Sequence, residues 1–179
     1  MRSLLWAGAI AASERSARRV FSSRATALLI AYAGLAIAAV AIAPPDGRRR
    51  REPFSPGAVA LALGGYPVGR ALAGNAPSGP PPDGLAPELV ALGLMVQIAE
   101  EAAWGRHVEE DLGVPATALL FSLKHAIVDG RWRRSPGLAA FWVGLGGVRK
   151  ASRARALALH VVCNSAAVLL GHATARDQF

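Results

Sequence analysis

Leu89-Val-Ala-Leu-Gly-Leu-Met-Val-Gln-Ile-Ala-Glu-Glu-Ala-Ala-Trp-Gly-Arg106 is the stretch on which the reading of the fold turns. An uncharged, mostly apolar run leads straight into two adjacent carboxylates, Glu100 and Glu101. If the run lies in lipid, those carboxylates sit where charge is expensive, and ionisable groups at membrane depth are expected to serve a function and to have partners. The nearest candidates downstream are Phe121-Ser-Leu-Lys-His125 and His160-Val-Val-Cys-Asn164.

The surrounding chain is in keeping with that environment. It has 179 residues, for which one domain is the default, and it is 53% apolar but only 6% aromatic, with a mean hydropathy of +0.32. That is more hydrophobic than an ordinary soluble domain of this length. The net charge is +8, carried by arginine clusters at Arg15 to Arg24, Arg48 to Arg51, Arg131 to Arg134 and Arg149 to Arg155. A nucleic-acid binder is also basic. Here the clusters punctuate apolar runs as lipid-headgroup anchors do, so no nucleic-acid partner is expected. Lysine is confined to Lys124 and Lys150, an arginine-for-lysine bias that points to a GC-rich bacterial genome. Cys163 is the only cysteine, which excludes an intrachain disulfide and a cysteine-rich zinc site.

Residues 1–23 read as a basic, interfacial amphipathic segment rather than a signal peptide, because the short apolar start is followed by Ser13-Glu-Arg-Ser-Ala-Arg-Arg19. Residues 24–179 read as a single transmembrane domain. Ala25 to Pro45 has no charged residue and is long enough for the about 20 residues a spanning helix needs. Pro44-Pro45-Asp-Gly47 ends it. A second span is expected at about 57–75, followed by the Pro/Gly/Ser-rich loop Asn75 to Gly84. Pro87 opens a third helix with Glu88 at its positive end; it runs through the paired glutamates until Glu109, Glu110, Asp111 and Gly113 close it. A fourth is expected from Val114 to Val128 with Pro115 in its first turn, a short fifth from Pro136 to Val148, and a sixth from about 154 to 173. The expected fold is therefore an all-α polytopic membrane bundle of about five to six transmembrane helices with an intramembrane polar site, multi-pass in a bacterial cytoplasmic membrane. The positive-inside count does not choose its orientation, since the first and fifth segments have arginines on both sides.

Spacing sorts the polar residues into faces. Phe121 and His125 are four apart and share a helix face, as do His160 and Asn164. Glu100 and Glu101 are separated by about 100° around a helix, so one points into a given site and the other serves a neighbouring contact. Glu100 falls near the middle of its expected helix, His125 somewhat past the middle of the next, and His160 to Asn164 in the first half to middle of the last. Trp104, Trp132 and Trp142 suit interface belts or helix packing, and His107 and His172 lie near helix ends. Lys124 is expected to point away from His125, snorkelling or pairing with an acid, and Cys163 to be a small packing residue.

Glu-Glu before an apolar stretch, Phe-x-x-x-His on the next helix and His-x-x-x-Asn on a later one resemble the three motifs of the CPBP family, which comprises the type II CAAX prenyl endopeptidases and bacterial relatives linked to bacteriocin processing and self-immunity. The resemblance covers about residues 87–172. Each motif alone is weak; the three in order on successive apolar segments are more specific. One departure stands out. The family's first motif reads Glu-Glu-x-x-x-Arg, whereas this chain has Gly105 and then Arg106. A residue at 105 shares a face with Glu101, but Arg106 is about 140° away in a regular helix. A π-bulge at Gly105 would restore the contact. Otherwise another cation must balance the carboxylates, or one of them stays protonated.

The resemblance implies an intramembrane endopeptidase acting on a membrane-bound or lipidated peptide or protein. Glu100 would activate the water, Glu101 would support it, His125 and Asn164 would contact the scissile carbonyl, and His160 would orient the water or the base. Arg106 and Phe121 would be supporting residues, with Phe121 packed beneath the site. Burial is expected to raise a carboxylate toward neutrality and make it a better base. A metal-assisted variant would use Glu100, His125 and His160 as a two-His-one-carboxylate set for zinc with an open position for water. The alternatives are a non-catalytic membrane binding or immunity protein, for which the displaced arginine speaks, and a proton-coupled transporter using the Glu/His groups as a relay, against which the lack of an evident inverted repeat speaks.

Overall fold

The computed structural model describes residues 24–42, 52–72, 87–129 and 132–169, together with Gly8. The helices are α1 (Arg24–Ala41), α2 (Pro56–Leu72), α3 (Pro87–Ala103), α4 (Glu109–Asp129), α5 (Ser135–Ala151) and α6 (Arg153–Leu169). A π-helical turn, Trp104–Val108, joins α3 to α4, and a 3-10 turn, Trp132–Arg134, leads into α5. The expected interfacial segment 1–23, the loop 75–84 and His172 lie outside the described residues, Gly8 apart.

The helix boundaries have local causes. Gly113 adopts φ 78° and ψ 167°, a conformation open to glycine, and breaks the direction of α4 just before Pro115. The Thr117 hydroxyl then donates to the Gly113 carbonyl at 2.8 Å across the first turn that follows. At the α5–α6 junction Ser152 is extended (φ −163°, ψ 122°), and its hydroxyl accepts the Arg155 backbone N–H at 3.4 Å, a serine N-cap for α6. Pro136 occupies the first turn of α5, where its missing N–H costs nothing.

The all-helical class and the positions of the helices match the expectation; the membrane-spanning bundle does not. Among the described residues no helix is long and apolar enough to cross a membrane. At 17 to 18 residues α1, α2, α3, α5 and α6 fall short of the about 20 residues that cross a hydrocarbon core of about 30 Å. The 21-residue α4 is interrupted at Gly113 and opens on Glu109, Glu110 and Asp111. The expectation of a multi-pass integral protein with a polar site at bilayer depth falls with the spans.

The helices pack through small residues and a buried aromatic layer. α2 lies along α5, α1 along α3, and α4 along α5, while α6 touches α3, α2 and α5. The α2–α5 approach is the tightest: a Cβ on Gly137 would meet the Gly69 Cα at 2.2 Å. At the centre, Phe121 stacks on Trp142 with ring centroids 4.2 Å apart, and Trp104 meets Phe121 edge-on at 5.9 Å. Trp104 and Trp142 are fully buried, so they are helix-packing residues, whereas Trp132 is exposed.

Candidate functional site

The aromatic layer forms the floor of a polar cluster supplied by four helices. Glu100 and Glu101 lie at the end of α3, one turn before the π-turn; Lys124 and His125 come from α4, Arg149 from the last turn of α5, and His160 from the middle of α6. The Phe121 ring lies 4.7 Å from that of His125, and His160 is edge-on to Phe141 at 5.2 Å and to Trp142 at 6.2 Å. The imidazoles are thus held by aromatic faces on one side and meet carboxylates on the other.

Glu100 is the centre of the cluster. Its Oε1 lies 3.5 Å from Lys124 Nζ and 3.5 Å from His125 Nε2, and its Oε2 lies 3.7 Å from His160 Nε2. At those separations the contacts are electrostatic rather than short hydrogen bonds, and Oε1 accepts no hydrogen bond of good geometry. Glu101 sits on the far side of His160: its Oε1 is 3.0 Å from Nδ1, and its Oε2 accepts from Arg149 Nη1 at 3.3 Å. Arg149 also reaches Glu109 Oε2 at 3.3 Å and lies 4.6 Å over the Trp142 ring. The His125 side chain keeps 21% of its surface, against 1% for His160 and 4% for Glu100, so the cluster opens to the outside at His125.

Burial pushes the Glu100 carboxyl up, as expected, but His125 and the charges of Lys124 and His160 outweigh it and hold it at about 2. The expected rise toward neutrality is therefore reversed, because three polar side chains, His125, Lys124 and His160, converge on one carboxylate. Glu101 is also pushed up by burial and, more weakly, by Glu100, yet the Arg149 charge and the His160 hydrogen bond bring it below the usual carboxylate range. Both carboxylates are ionised at neutral pH.

The sequence-predicted residues divide accordingly. Glu100, Glu101, His125 and His160 are brought together. Asn164 is one turn beyond His160 on the same helix and is half-buried. Phe121 packs under His125. Cys163 is buried, with its thiol pushed up to about 11 by burial, which keeps it protonated and inert. The π-turn appears where Gly105 made one conceivable, with the Glu109 N–H reaching back to the Trp104 carbonyl. The cation found on Glu101, however, is Arg149 from another helix. His107, expected near a helix end, makes a 2.7 Å contact with the Ala39 carbonyl and ties the π-turn to α1.

Sequence reasoning missed two members. Lys124 pairs with an acid, one of the two expectations for it, but the acid is Glu100, whose same oxygen faces His125, so the lysine does not point away from the site. The signal available was that one of only two lysines adjoins the motif histidine. Along the chain Arg149 looks like a headgroup anchor with its neighbours, and nothing there distinguishes it from Lys150, which lies exposed against Glu52 at 3.4 Å.

Zinc fits this donor set poorly. Among the described residues no group of three or more His, Cys, Asp or Glu side chains is arranged to hold a metal ion. The Lys124 ammonium already lies against the Glu100 oxygen that faces His125, and a divalent ion there would meet a like charge.

No protein-family model, curated protein or solved structure matches this chain.

Proposed function

We propose that the chain is a CPBP-like endopeptidase that hydrolyses a peptide bond with a water held by Glu100. The observation that carries this reading is one ionised, buried carboxylate flanked by imidazoles from two other helices, His125 at 3.5 Å and His160 at 3.7 Å.

The chemistry needs a proton acceptor for water and donors for the developing oxyanion. Glu100 accepts a water proton while the water oxygen attacks the carbonyl carbon. The carbonyl electrons move onto oxygen, where His125, at the open side of the cluster, and Asn164 meet the charge. The proton held by Glu100 passes to the amide nitrogen as the C–N bond breaks, which restores the carboxylate. A carboxylate held at about 2 is a weak base, and Lys124 and His125 are what hold it there. When His125 and Lys124 turn toward the substrate oxyanion, Glu100 loses that stabilisation and its basicity rises as the transition state forms. No metal is required. The substrate implied by the motif resemblance is a membrane-associated or lipidated peptide.

The test is cleavage of quenched fluorescent peptides, lipidated and unlipidated, by the purified chain with and without EDTA. Glu100→Gln and His125→Ala should each lower kcat/KM by about 100-fold or more, the usual scale for a lost acid–base group, with EDTA without effect. Unchanged cleavage in both variants would sink the assignment of the site. Absence of cleavage by the unmodified chain, with tight peptide binding that depends on His125, would favour the non-catalytic binding protein.

A further inference from the structure

The family motif resembled by Glu100-Glu-Ala-Ala-Trp-Gly105 places an arginine where this chain has glycine. The structure shows what the glycine admits. A Cβ at Gly105 would meet Arg149 Nε and Nη1 at 3.0 Å and Cδ at 3.1 Å. The Arg149 side chain thus crosses the π-turn directly over the bare Cα of Gly105, and it does so to reach Glu101 on one side of that turn and Glu109 on the other. The Trp142 ring lies beneath the guanidinium, its centroid 4.6 Å from the Arg149 Cζ. Arg149 is only 4% exposed at the side chain, so its charge is placed by those contacts rather than by solvent.

We propose that Arg149 is the positioning residue of this site: seated on Gly105, it fixes Glu101 as an acceptor for His160 Nδ1–H and so turns His160 Nε2 toward Glu100. A carboxylate oxygen 3.0 Å from Nδ1 requires a proton on that nitrogen. The paired oxygen of Glu101 is bound by Arg149, so the carboxylate can neither rotate away nor take the proton itself. Nε2 is then the nitrogen that faces Glu100, across 3.7 Å. A carboxylate that orients a histidine from behind is a general device for choosing which ring nitrogen acts. Here the device is assembled from α3, α5 and α6, with the arginine supplied through space. The proposal rests on the reading of Glu100 and His160 as the working groups, but the geometry it concerns can be measured whether or not the chain cleaves anything.

The experiment is long-range nitrogen–proton correlation NMR on the full chain labelled with 15N-histidine, with the His160 signals identified by their loss in His160→Gln. In the unmodified chain His160 should show a protonated, hydrogen-bonded Nδ1 as its preferred tautomer. In Arg149→Met the Nδ1 preference should fall to a mixture of tautomers and the titration midpoint should move; Arg149→Lys should return both toward the unmodified chain. Gly105→Ala supplies a gentler second test that leaves the charge in place, since its methyl displaces only the flexible end of Arg149. It should shift the His160 signals in the same direction as Arg149→Met, by less. Wild-type tautomer and titration in a folded Arg149→Met, or in Gly105→Ala should Arg149→Met not fold, would overturn the proposal. A changed tautomer in a chain without peptidase activity would uphold it while removing the proposed function.

Discussion

The chemistry of Glu100 depends less on how deeply it is buried than on what is buried with it. Burial alone raises a carboxylate, yet one ammonium and two imidazoles within 3.7 Å reverse the outcome. Lys124 is the ammonium of the set, and its side chain is itself only 9% exposed. Lys124→Met removes it without removing volume and leaves the carboxylate with only imidazole partners. Breaking one side of a buried ion pair costs about 3 kcal/mol or more, so the urea midpoint of Lys124→Met should fall accordingly, and the double variant Lys124→Met with Glu100→Gln should recover much of the loss. If the double variant is no more stable than the single one, the two groups are not coupled as the 3.5 Å contact implies.

At the scale of elements, the site depends on how closely α2 and α5 approach, because α5 carries Arg149, Phe141 and Trp142. That approach is set by Gly65, Gly69 and Gly137: a Cβ on Gly137 would fall 2.2 Å from the Gly69 Cα and 2.5 Å from the Gly65 carbonyl oxygen, both backbone atoms that cannot swing aside. Gly137→Val should therefore push the helices apart. Overpacking of this kind costs about 1–3 kcal/mol or more, measurable as a lowered thermal midpoint, and it should also alter the near-UV circular dichroism of Trp142 and Trp104, which share the aromatic layer through Phe121. A substitution to valine at exposed Gly64, where an added Cβ meets nothing within 4 Å, is the control and should leave that signal unchanged.

At the scale of the molecule, the polar cluster makes stability depend on acid. The folded value for Glu100, about 2, lies below the ordinary 4.5, and Glu101 is displaced in the same direction. The unfolded chain therefore binds these protons first, so the stabilisation is complete above about 4.5 and is lost as pH falls from there through about 2. The urea midpoint should drop as pH falls below about 5, more shallowly in Glu100→Gln than in the unmodified chain. Equal slopes in the two proteins would show that other carboxylates govern acid unfolding.

The sequence by itself determined where the helices lie and which motif residues share a face, because hydrophobic runs, prolines and Gly113 act locally on the backbone. The expected spans at 57–75, 114–128 and 136–148 correspond to Pro56–Leu72, the part of α4 after Gly113, and Ser135–Ala151. Composition misled on the environment: mean hydropathy averages over the chain, whereas crossing a membrane requires one uninterrupted helix, and none of the described helices is one. Only the tertiary structure decided the charge balance of the site. Lys124 and Arg149 join Glu100 and Glu101 through packing between helices, across 24 and 48 residues of chain. Electrostatic energy depends on distance in space, which spacing along one helix does not reveal. The stretch from Glu100 to Arg106 shows a glycine at 105 and no cation one turn after Glu101; the fold shows that Arg149 passes over Gly105 to reach Glu101.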